Sequence, residues 1–344
     1  MPNKHEKNQN IVKRIGRNVT DAAPKISVVI PAYNAAAFIG ETLYSVMEQT
    51  FRDFEIIVVN DGSPDTESLE KAIENYLEDV IYLKQPNAGA GVARNTAIEH
   101  ARGQFIAFLD GDDIWFPDFL ASQYKFLEDG GFDMVYCDAE LFGMSVANRK
   151  TFMASAPSAG ESDFDSILDL RCNVITSGTL ARKQAIERAG TFENERVQAE
   201  DFHLWLRMAK SGAKIGYQRK QLLKYRVRLD SLSGDSVSRI KRGIDVFERV
   251  GRTIEMTAEQ RQIVNRRIRG FEADLAVEQG KAYLLGGHYW EAQNSFQQAN
   301  RYRRSPKLTA ISLLTRIAPK TLVKFYKTNR TAEIAFVPNA EKSA

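Results

Sequence analysis

Cysteine and histidine are scarce in this sequence, and their scarcity excludes several kinds of site. The two cysteines, Cys137 and Cys172, lie far apart without the spacing of a metal-binding motif, so we expect structural thiols in a reducing compartment. The four histidines form no HExxH pair, which argues against zinc chemistry. Since the net charge is only +3, a binding site for an acidic partner requires local clustering of lysine and arginine.

Long hydrophobic runs are missing as well. The first 24 residues are polar and lack the apolar core of a signal peptide, and no run reaches the roughly 18 apolar residues needed to cross a bilayer. The sequence therefore predicts a cytoplasmic protein. A hydrophobic content of 43% is still enough for a substantial folded core.

From Lys25 onward, the sequence alternates regularly between strand and helix patterns. The strand-like runs are ISVVIPAY, FEIIVV, VIYL and QFIAFL. They are continuously apolar, which favours an α/β fold with a mostly parallel sheet covered by helices on both faces. In folds of this kind, ligands bind beyond the carboxyl ends of the strands, which is where Asp61 and Asp110 lie.

Composition divides the chain into three predicted parts. A polar tail covers residues 1–24, an α/β domain covers 25–236, and residues 237–344, where strand signals vanish, form a smaller α-helical region. In that region, Gly287 to Ala299 has the spacing of a single tetratricopeptide hairpin. Because about three such repeats are needed for a stable array, we expect one hairpin to pack against the rest of the protein.

The segment "LDGDD" at residues 109–113 places three aspartates, Asp110, Asp112 and Asp113, directly after a predicted strand. One aspartate suffices to cap a helix, whereas three neighbouring carboxylates repel each other unless a cation binds among them. The pattern thus favours a divalent metal site. Four other polar segments fall at strand ends or helix starts: "PAYNA" (31–35), "VNDGSPD" (59–65), "NAGAGVARN" (87–95) and "AEDFHLW" (199–205).

Together and in this order, these motifs resemble the inverting family 2 glycosyltransferases of the GT-A fold, over residues 25–230. The resemblance implies an enzyme that moves a sugar from a nucleotide-diphosphate donor to a hydroxyl group of a glycan or lipid-linked glycan, in surface polysaccharide synthesis. It also implies Mn²⁺ or Mg²⁺ as the cofactor, because a divalent cation stabilises the negative charge of the leaving diphosphate.

The same resemblance implies metal-binding and catalytic residues. Asp110–Gly111–Asp112 matches the DxD motif of the family, with Asp112 as the metal ligand and Asp110 either a second ligand or a neighbour of the ribose. Asp201 matches the general base that accepts the proton of the attacking hydroxyl, and Glu200 is its neighbour. In the structural alternative, both acids simply favour the first turn of a helix.

Donor-binding residues implied by the resemblance come from several segments. Asp61 matches the acid that accepts a hydrogen bond from the nucleobase, or is an ordinary β-turn residue. Arg94 would pair with a phosphate or with nearby acids, or lie on a helix surface. Arg226 and Arg228 share one face of a predicted strand, where they would reach the leaving diphosphate or solvent. The full set is Pro31, Ala32, Tyr33, Asp61, Asn87, Gly89, Arg94, Asp110, Gly111, Arg226 and Arg228.

Two other functions remain open from the sequence. The segment "NAGAGVARN" opens a helix with Gly89-x-Gly91, like a dinucleotide-binding fingerprint, although Arg94 occupies the third glycine position. A nucleotide- or dinucleotide-binding α/β enzyme of another class is therefore one alternative. The other is a non-catalytic scaffold that works through the helical C-terminal region.

The segment from Arg301 to Arg330 contains nine lysines and arginines and no acidic residue. Helical spacing places lysines on one face and apolar residues on the other: Lys320, Lys324 and Lys327 against Leu322, Val323, Phe325 and Tyr326. This pattern predicts either contact with anionic lipid at the inner face of the membrane or a helix packed on its own domain. Nucleic acid is not expected as a partner, since no recognised binding module accompanies the charge.

Overall fold

The structure of the protein is a computed structural model that describes residues 11–143, 151–158, 162–228 and 236–329, with side chains described up to residue 326. The chain divides into two compact units. The first contains the described residues up to Phe142 and from Thr151 to Arg226, and the second contains Gly143 and the residues from Val227 onward. The sequence pattern placed the corresponding boundary near residue 236.

Within the described residues, nine strands form a single sheet. They are β1 Val12–Ile15, β2 Ile26–Ala32, β3 Phe54–Asp61, β4 Val80–Gln85, β5 Phe105–Phe108, β6 Ile114–Trp115, β7 Met134–Gly143, β8 Thr179–Arg182 and β9 Ile215–Val227. Their order across the sheet is β1-β4-β3-β2-β5-β8-β7-β9-β6.

The sheet is mixed, with its parallel strands grouped in the first part of the chain. Strand β2 is parallel to β3 and β5, and β3 is parallel to β4. The pairs β1–β4, β5–β8, β7–β8 and β6–β9 are antiparallel. The continuous apolar runs therefore predicted the parallel part correctly. Strands β7 and β9 expose part of their length, which an antiparallel arrangement tolerates.

Strand β1 is an element that sequence reasoning missed, since it lies inside the segment interpreted as a polar tail. Its four residues are all exposed, so they carry no apolar face that a pattern search could find. The strand pairs with β4, and two arginines attach its end to the first unit: Arg14 and Arg17 form ion pairs with Glu78 at 3.2 and 2.9 Å.

In the described part of the first unit, seven α-helices accompany the sheet. They are α1 Ile39–Met47, α2 Thr66–Ala72, α3 Ala90–His100, α4 Phe119–Gly130, α5 Phe164–Leu168, α6 Lys183–Arg188 and α7 Glu200–Lys210. The core contains the rings of Phe108, Phe192 and Trp205, whose centroids lie 5.7 to 6.2 Å apart. Because Trp205 lies in α7, this aromatic cluster fixes the helix that begins with Glu200 and Asp201.

The described part of the second unit is helical. Its helices are α8 Ser236–Thr253, α9 Ala258–Leu285, α10 Tyr289–Arg303, α11 Pro306–Ile317 and α12 Pro319–Asn329. Helices α9 and α10 pack closely, because a Cβ atom added at Gly280 would lie only 2.7 Å from Cε1 of Phe296. The segment with tetratricopeptide spacing, Gly287 to Ala299, covers the turn before α10 and most of that helix. In the described chain, no helix has the length and apolar character needed to cross a membrane.

Candidate active site

The end of β3 is fastened to the loop that opens α3 by the carboxylate of Asp61. This side chain is buried and accepts three hydrogen bonds. The donors are Gln85 Nε2 at 2.7 Å, the Ala88 N–H at 2.9 Å and the Gly89 N–H at 2.8 Å. The strand-end aspartate and the "NAG" loop, two separate motifs in the sequence, therefore form one structural feature.

Other residues predicted to bind the donor lie around this feature. Asn87 packs so closely on the turn after Asp61 that a Cβ atom at Gly62 would lie 2.5 Å from the Asn87 nitrogen. At the end of β2, Ala32 is buried and the side chain of Tyr33 is 50% exposed. The adjoining Tyr33 ring is thus accessible to a ligand, whereas the side chain of Ala32 is not.

The DxD turn follows β5 and packs against the end of β2. A Cβ atom at Gly111 would lie 3.2 Å from the carbonyl oxygen of Pro31, so glycine permits this approach. The Asp110 N–H donates to Oγ of Ser177 at 3.1 Å. Ser177 belongs to a short turn before β8, and sequence reasoning did not single it out. Its only signal was a pair of polar residues, Thr176 and Ser177, at the start of a predicted strand.

Asp113 is a buried carboxyl group with few hydrogen-bond partners. Its Oδ1 accepts from the Arg226 N–H at 2.8 Å, and its Oδ2 has no hydrogen-bond partner among the described residues. Burial, together with the carboxylates of Asp112 and Asp110, raises the pKa of Asp113 well above its ordinary value. The three acids of this turn therefore oppose one another's ionisation, and a bound cation would relieve that repulsion.

Arg226 holds the DxD turn through its side chain as well. Its Nε donates to the Asp112 carbonyl oxygen at 2.7 Å, and its Nη2 donates to Glu41 at 2.5 Å. Its guanidinium also lies over the ring of Phe142, 4.4 Å from the centroid. The role in diphosphate binding predicted for Arg226 stays a prediction, as does that of Arg228, which follows the end of β9.

Arg94 joins the DxD turn to the start of α7. Its side chain is only 5% exposed, and it forms ion pairs with Asp110 and Glu200, both at 2.7 Å. Burial alone lowers the pKa of Arg94, but the carboxylates of Asp110, Glu200 and Asp201 raise it above its ordinary value. The guanidinium therefore stays charged, and it contacts acids rather than lying on a helix surface as the structural alternative proposed.

Glu200 and Asp201 begin α7, after Ala199 in a left-handed backbone conformation with φ of 53°. Oδ2 of Asp201 accepts a hydrogen bond from Oγ1 of Thr176 at 2.6 Å, which orients this carboxylate. Burial and the neighbouring Asp201 raise the pKa of Glu200, while Arg94 opposes the shift. The two adjacent acids thus have different partners, and this difference allows them different roles.

Gly91 gives α3 its close approach to α7, and this is testable. A Cβ atom at Gly91 would lie 2.8 Å from Cγ of Glu200 and 3.4 Å from Cβ of Phe192. We expect Gly91→Ala to lower the free energy of unfolding by about 1–3 kcal/mol through overpacking. Gly40→Ala is the matched control, since its Cβ would meet nothing closer than 3.8 Å. In urea unfolding, equal stability of the two variants would contradict the close approach.

Comparison with known proteins assigns the family. The profile of "Glycosyl transferase family 2" matches residues 27–189. TuaG of Bacillus subtilis (strain 168), named for a proposed role in teichuronic acid biosynthesis, is 30% identical over 70% of this chain and 94% of its own length. WfgD of Escherichia coli, named as a UDP-Glc:α-D-GlcNAc-diphosphoundecaprenol β-1,3-glucosyltransferase, is 29% identical over 64% of this chain and 85% of its own length. The chain belongs to glycosyltransferase family 2.

Solved structures agree with this assignment at the level of the fold. TarS residues 1–349 of S. aureus, in complex with UDP-GlcNAc, match with a TM-score of 0.56 and 18% identity over 89% of this chain and 91% of that one. The mannosyltransferase PcManGT of Pyrobaculum calidifontis, in complex with GDP-Man and Mn²⁺, matches with a TM-score of 0.58 and 20% identity over 91% and 86%. The predicted GT-A fold is confirmed. The protein is a glycosyltransferase. This assignment argues against both alternatives left open by the sequence, a dinucleotide-binding enzyme of another class and a non-catalytic scaffold.

Proposed function

We propose that the protein is an inverting, metal-dependent glycosyltransferase that moves a sugar from a nucleotide-diphosphate donor to a hydroxyl acceptor. One observation carries the proposal: the buried Arg94 binds Asp110 of the DxD turn and Glu200 beside Asp201 at the same time. A group that serves the diphosphate and a group that serves the acceptor must lie at one reacting centre, and this ion-pair network supports that arrangement.

The DxD turn has the donor chemistry for a divalent cation. Asp112 and Asp110 would hold Mn²⁺ or Mg²⁺, because carboxylate oxygens are the ligands these cations prefer. Three acidic side chains in one turn, Asp110, Asp112 and Asp113, support a cation there, because it would offset their mutual repulsion. No group of three His, Cys, Asp or Glu side chains in the described residues forms a cation site alone, so oxygens of the donor diphosphate would complete the ligand set. When bound, the cation would neutralise charge on the leaving diphosphate.

Asp201 is the residue that we assign as general base. Inversion requires the acceptor oxygen to attack the anomeric carbon opposite the leaving diphosphate while a carboxylate accepts its proton. Thr176 donates to one oxygen of Asp201, and the Phe202 N–H donates to the other at 2.7 Å, so the carboxylate is held in one orientation. Glu200 is engaged by Arg94 and would position the network rather than accept the proton.

The nucleobase would bind beside Asp61 and the exposed ring of Tyr33. An ionised carboxylate offers about four lone-pair sites. The three hydrogen bonds that Asp61 accepts from the protein therefore leave capacity for one N–H of a base. Pro31, Asn87, Gly89 and the other predicted donor residues would line the same region.

The acceptor class is inferred from the named relatives. WfgD is named for a lipid-linked acceptor, and TuaG for a surface polymer. We extend the class, a glycan or lipid-linked glycan in surface polysaccharide synthesis, to this protein. A cytoplasmic location at the inner face of the membrane, where such an acceptor would be reached, belongs to the same proposal.

A donor screen tests the proposed chemistry. Purified protein is incubated with UDP-, GDP- and dTDP-sugars and with Mn²⁺ or Mg²⁺, and nucleoside diphosphate release is measured with and without a chelator. Nuclear magnetic resonance of the product of the active donor gives the anomeric configuration. Turnover that survives complete chelation would contradict metal dependence, and a retained configuration would contradict inversion.

We expect Asp112→Asn to weaken metal-dependent donor binding by at least tenfold, since even the outer partners of metal ligands contribute about 10–100-fold. The fold should persist, because the variant keeps the size of the side chain. Calorimetric titration of UDP or GDP with and without Mn²⁺ measures the effect. Asp129→Asn, at a carboxylate 63% exposed on α4, is the matched control. Unchanged Mn²⁺-dependent affinity in Asp112→Asn would exclude this residue as a ligand.

A further inference from the structure

Helix α12 packs on its own unit, which is one of the two alternatives predicted for the basic tail. Leu322 is buried in the core of the second unit, and Val323 and Tyr326 pack against the same core. The sequence left two alternatives open for these apolar residues, contact with lipid or packing on their own domain. They attach α12 to its own unit, where they join a core formed with residues of α9 and α10. The side chain of Lys327 lies outside the described residues.

A different apolar surface remains exposed. Leu313, Leu314 and Ile317 of α11 are 55%, 41% and 66% exposed, and Phe325 of α12 is 62% exposed. Four of the ten large hydrophobic side chains exposed in the described residues thus fall within one short segment. Leu313 and Ile317 lie one helical turn apart on α11 and Leu314 is next to Leu313, so three of these side chains are neighbours, and contiguous exposed apolar side chains indicate a binding surface.

Basic residues alternate with these apolar residues along the sequence. Arg316 follows Leu314 by two positions and precedes Ile317, and the exposed residues Lys320 and Lys324 continue the segment into α12. The whole stretch from residue 301 to 330 lacks aspartate and glutamate. A partner for this surface must therefore be apolar in part and anionic in part. Long basic side chains can place their stems along apolar material while their charges reach an anionic layer.

A groove beside α11 adds a place for an anionic group. It has a volume of about 500 Å³ and is lined by polar and basic side chains. Leu313, one of the exposed apolar residues of α11, is also part of its lining. The lining residues are Gln293, Gln297, Asn300, Arg301, Thr309, Ser312, Leu313 and Arg316. Its wall is fixed, because Asn300 donates to Thr309 at 2.7 Å and accepts from the Ser305 N–H at 2.7 Å. Two arginines and several amide and hydroxyl groups suit a phosphate.

We propose that the α11–α12 surface, defined by Leu313, Leu314, Arg316, Ile317, Lys320, Lys324 and Phe325, binds the interface of a membrane that contains anionic phospholipid. The apolar side chains enter the boundary between headgroups and acyl chains, and the basic residues contact phosphates. This inference does not depend on the transfer chemistry proposed above. It concerns where the enzyme works rather than which bond it makes.

Vesicle co-sedimentation of the full chain tests the proposal. We expect the wild type to pellet with vesicles of phosphatidylcholine and phosphatidylglycerol, and to stay in solution with phosphatidylcholine alone. Replacing two cations, Arg316→Gln with Lys320→Gln, should weaken partitioning about thirtyfold at low salt. Added salt should weaken the wild type in the same direction. Leu313→Ser with Ile317→Ser should weaken binding about tenfold or more while keeping its salt dependence.

Matched controls separate this surface from general effects of charge and hydrophobicity. Arg261→Gln with Arg269→Gln removes two exposed cations of α9, and Val12→Ser with Ile15→Ser removes two exposed aliphatic side chains of β1. Both controls should pellet like the wild type, and circular dichroism checks the fold of every variant. Equal pelleting of all variants, or none by the wild type, overturns the proposal. So does self-association that Leu313→Ser with Ile317→Ser abolishes in the absence of vesicle binding, since a second copy would then cover the surface.

Discussion

Asp201→Asn is expected to lower transfer by about 10²–10⁴-fold, the usual contribution of a general base, while donor affinity stays unchanged. The asparagine side chain cannot accept the proton of the acceptor hydroxyl. Its one amide oxygen can still accept the hydrogen bond from Thr176, although the bond from the Phe202 N–H is lost, and circular dichroism checks that the fold persists. Initial rates with an active donor and acceptor, together with donor titration, measure both quantities.

Two further variants make this result specific. Thr176→Val removes the hydroxyl that orients Asp201 at 2.6 Å and should reduce turnover by a smaller factor than Asp201→Asn does. Asp129→Asn changes an exposed acid on α4 and should leave turnover unchanged. If Asp201→Asn turned over at nearly the wild-type rate, the base would lie elsewhere, and Glu200 would be the first residue to examine.

Removing the charge of Arg94 is expected to cause the largest loss of stability. Arg94→Met leaves Glu200, whose side chain is 13% exposed, and Asp110 without their shared partner. Breaking a buried ion pair from one side typically costs about 3–5 kcal/mol, because the remaining charge is buried without compensation. Urea unfolding measures the change. Lys125→Met is the control, since it breaks an ion pair whose side chains are 76% and 63% exposed, for which about 1 kcal/mol or less is expected.

A second substitution distinguishes loss of charge compensation from loss of packing. In the double variant Arg94→Met with Glu200→Gln, an uncharged amide replaces one of the two carboxylates left without a partner. Part of the lost stability should therefore return. The pH dependence should agree. The pKa of Glu200 is already raised by burial and would rise further without Arg94, so protonation stabilises the folded variant as the pH falls. The difference in the free energy of unfolding between the wild type and Arg94→Met should therefore become smaller as the pH is lowered from about 8 to about 5. If the loss of stability changed neither with pH nor on adding Glu200→Gln, its cause would be lost packing rather than an unpaired charge.

The sequence predicted the parts of the site that depend on local pattern. Asp61 and Asp110 could be placed at strand ends because buried parallel strands have continuous apolar runs, and Asp201 because it opens an amphipathic helix. The partners of these acids could not be predicted in the same way. The contacts of Arg94 with Glu200 and of Asp113 with the Arg226 backbone join segments far apart in the chain, and only the packed fold brings them together.

The two alternatives for the tail stayed open for a similar physical reason. Helical spacing shows that Leu322 and Phe325 lie on an apolar side of α12, but it does not show which of them a neighbouring helix covers. Strand β1 was missed because it gives no pattern to interpret: an exposed strand of four residues has no apolar periodicity. Sequence periodicity reports burial, and elements without burial leave no such signal.

Strand β1 also bears on the solubility of the protein. It forms one edge of the sheet, and its partner β4 is a largely apolar strand with a row of backbone groups that would otherwise be open to another chain. The short edge strand carries Lys13 and Arg14, and charges of this kind oppose pairing between sheets of different molecules. Its ion pairs with Glu78 lie at the surface, where salt screens them. The resistance of the catalytic unit to aggregation through this edge therefore depends on a few residues that contribute nothing to its core.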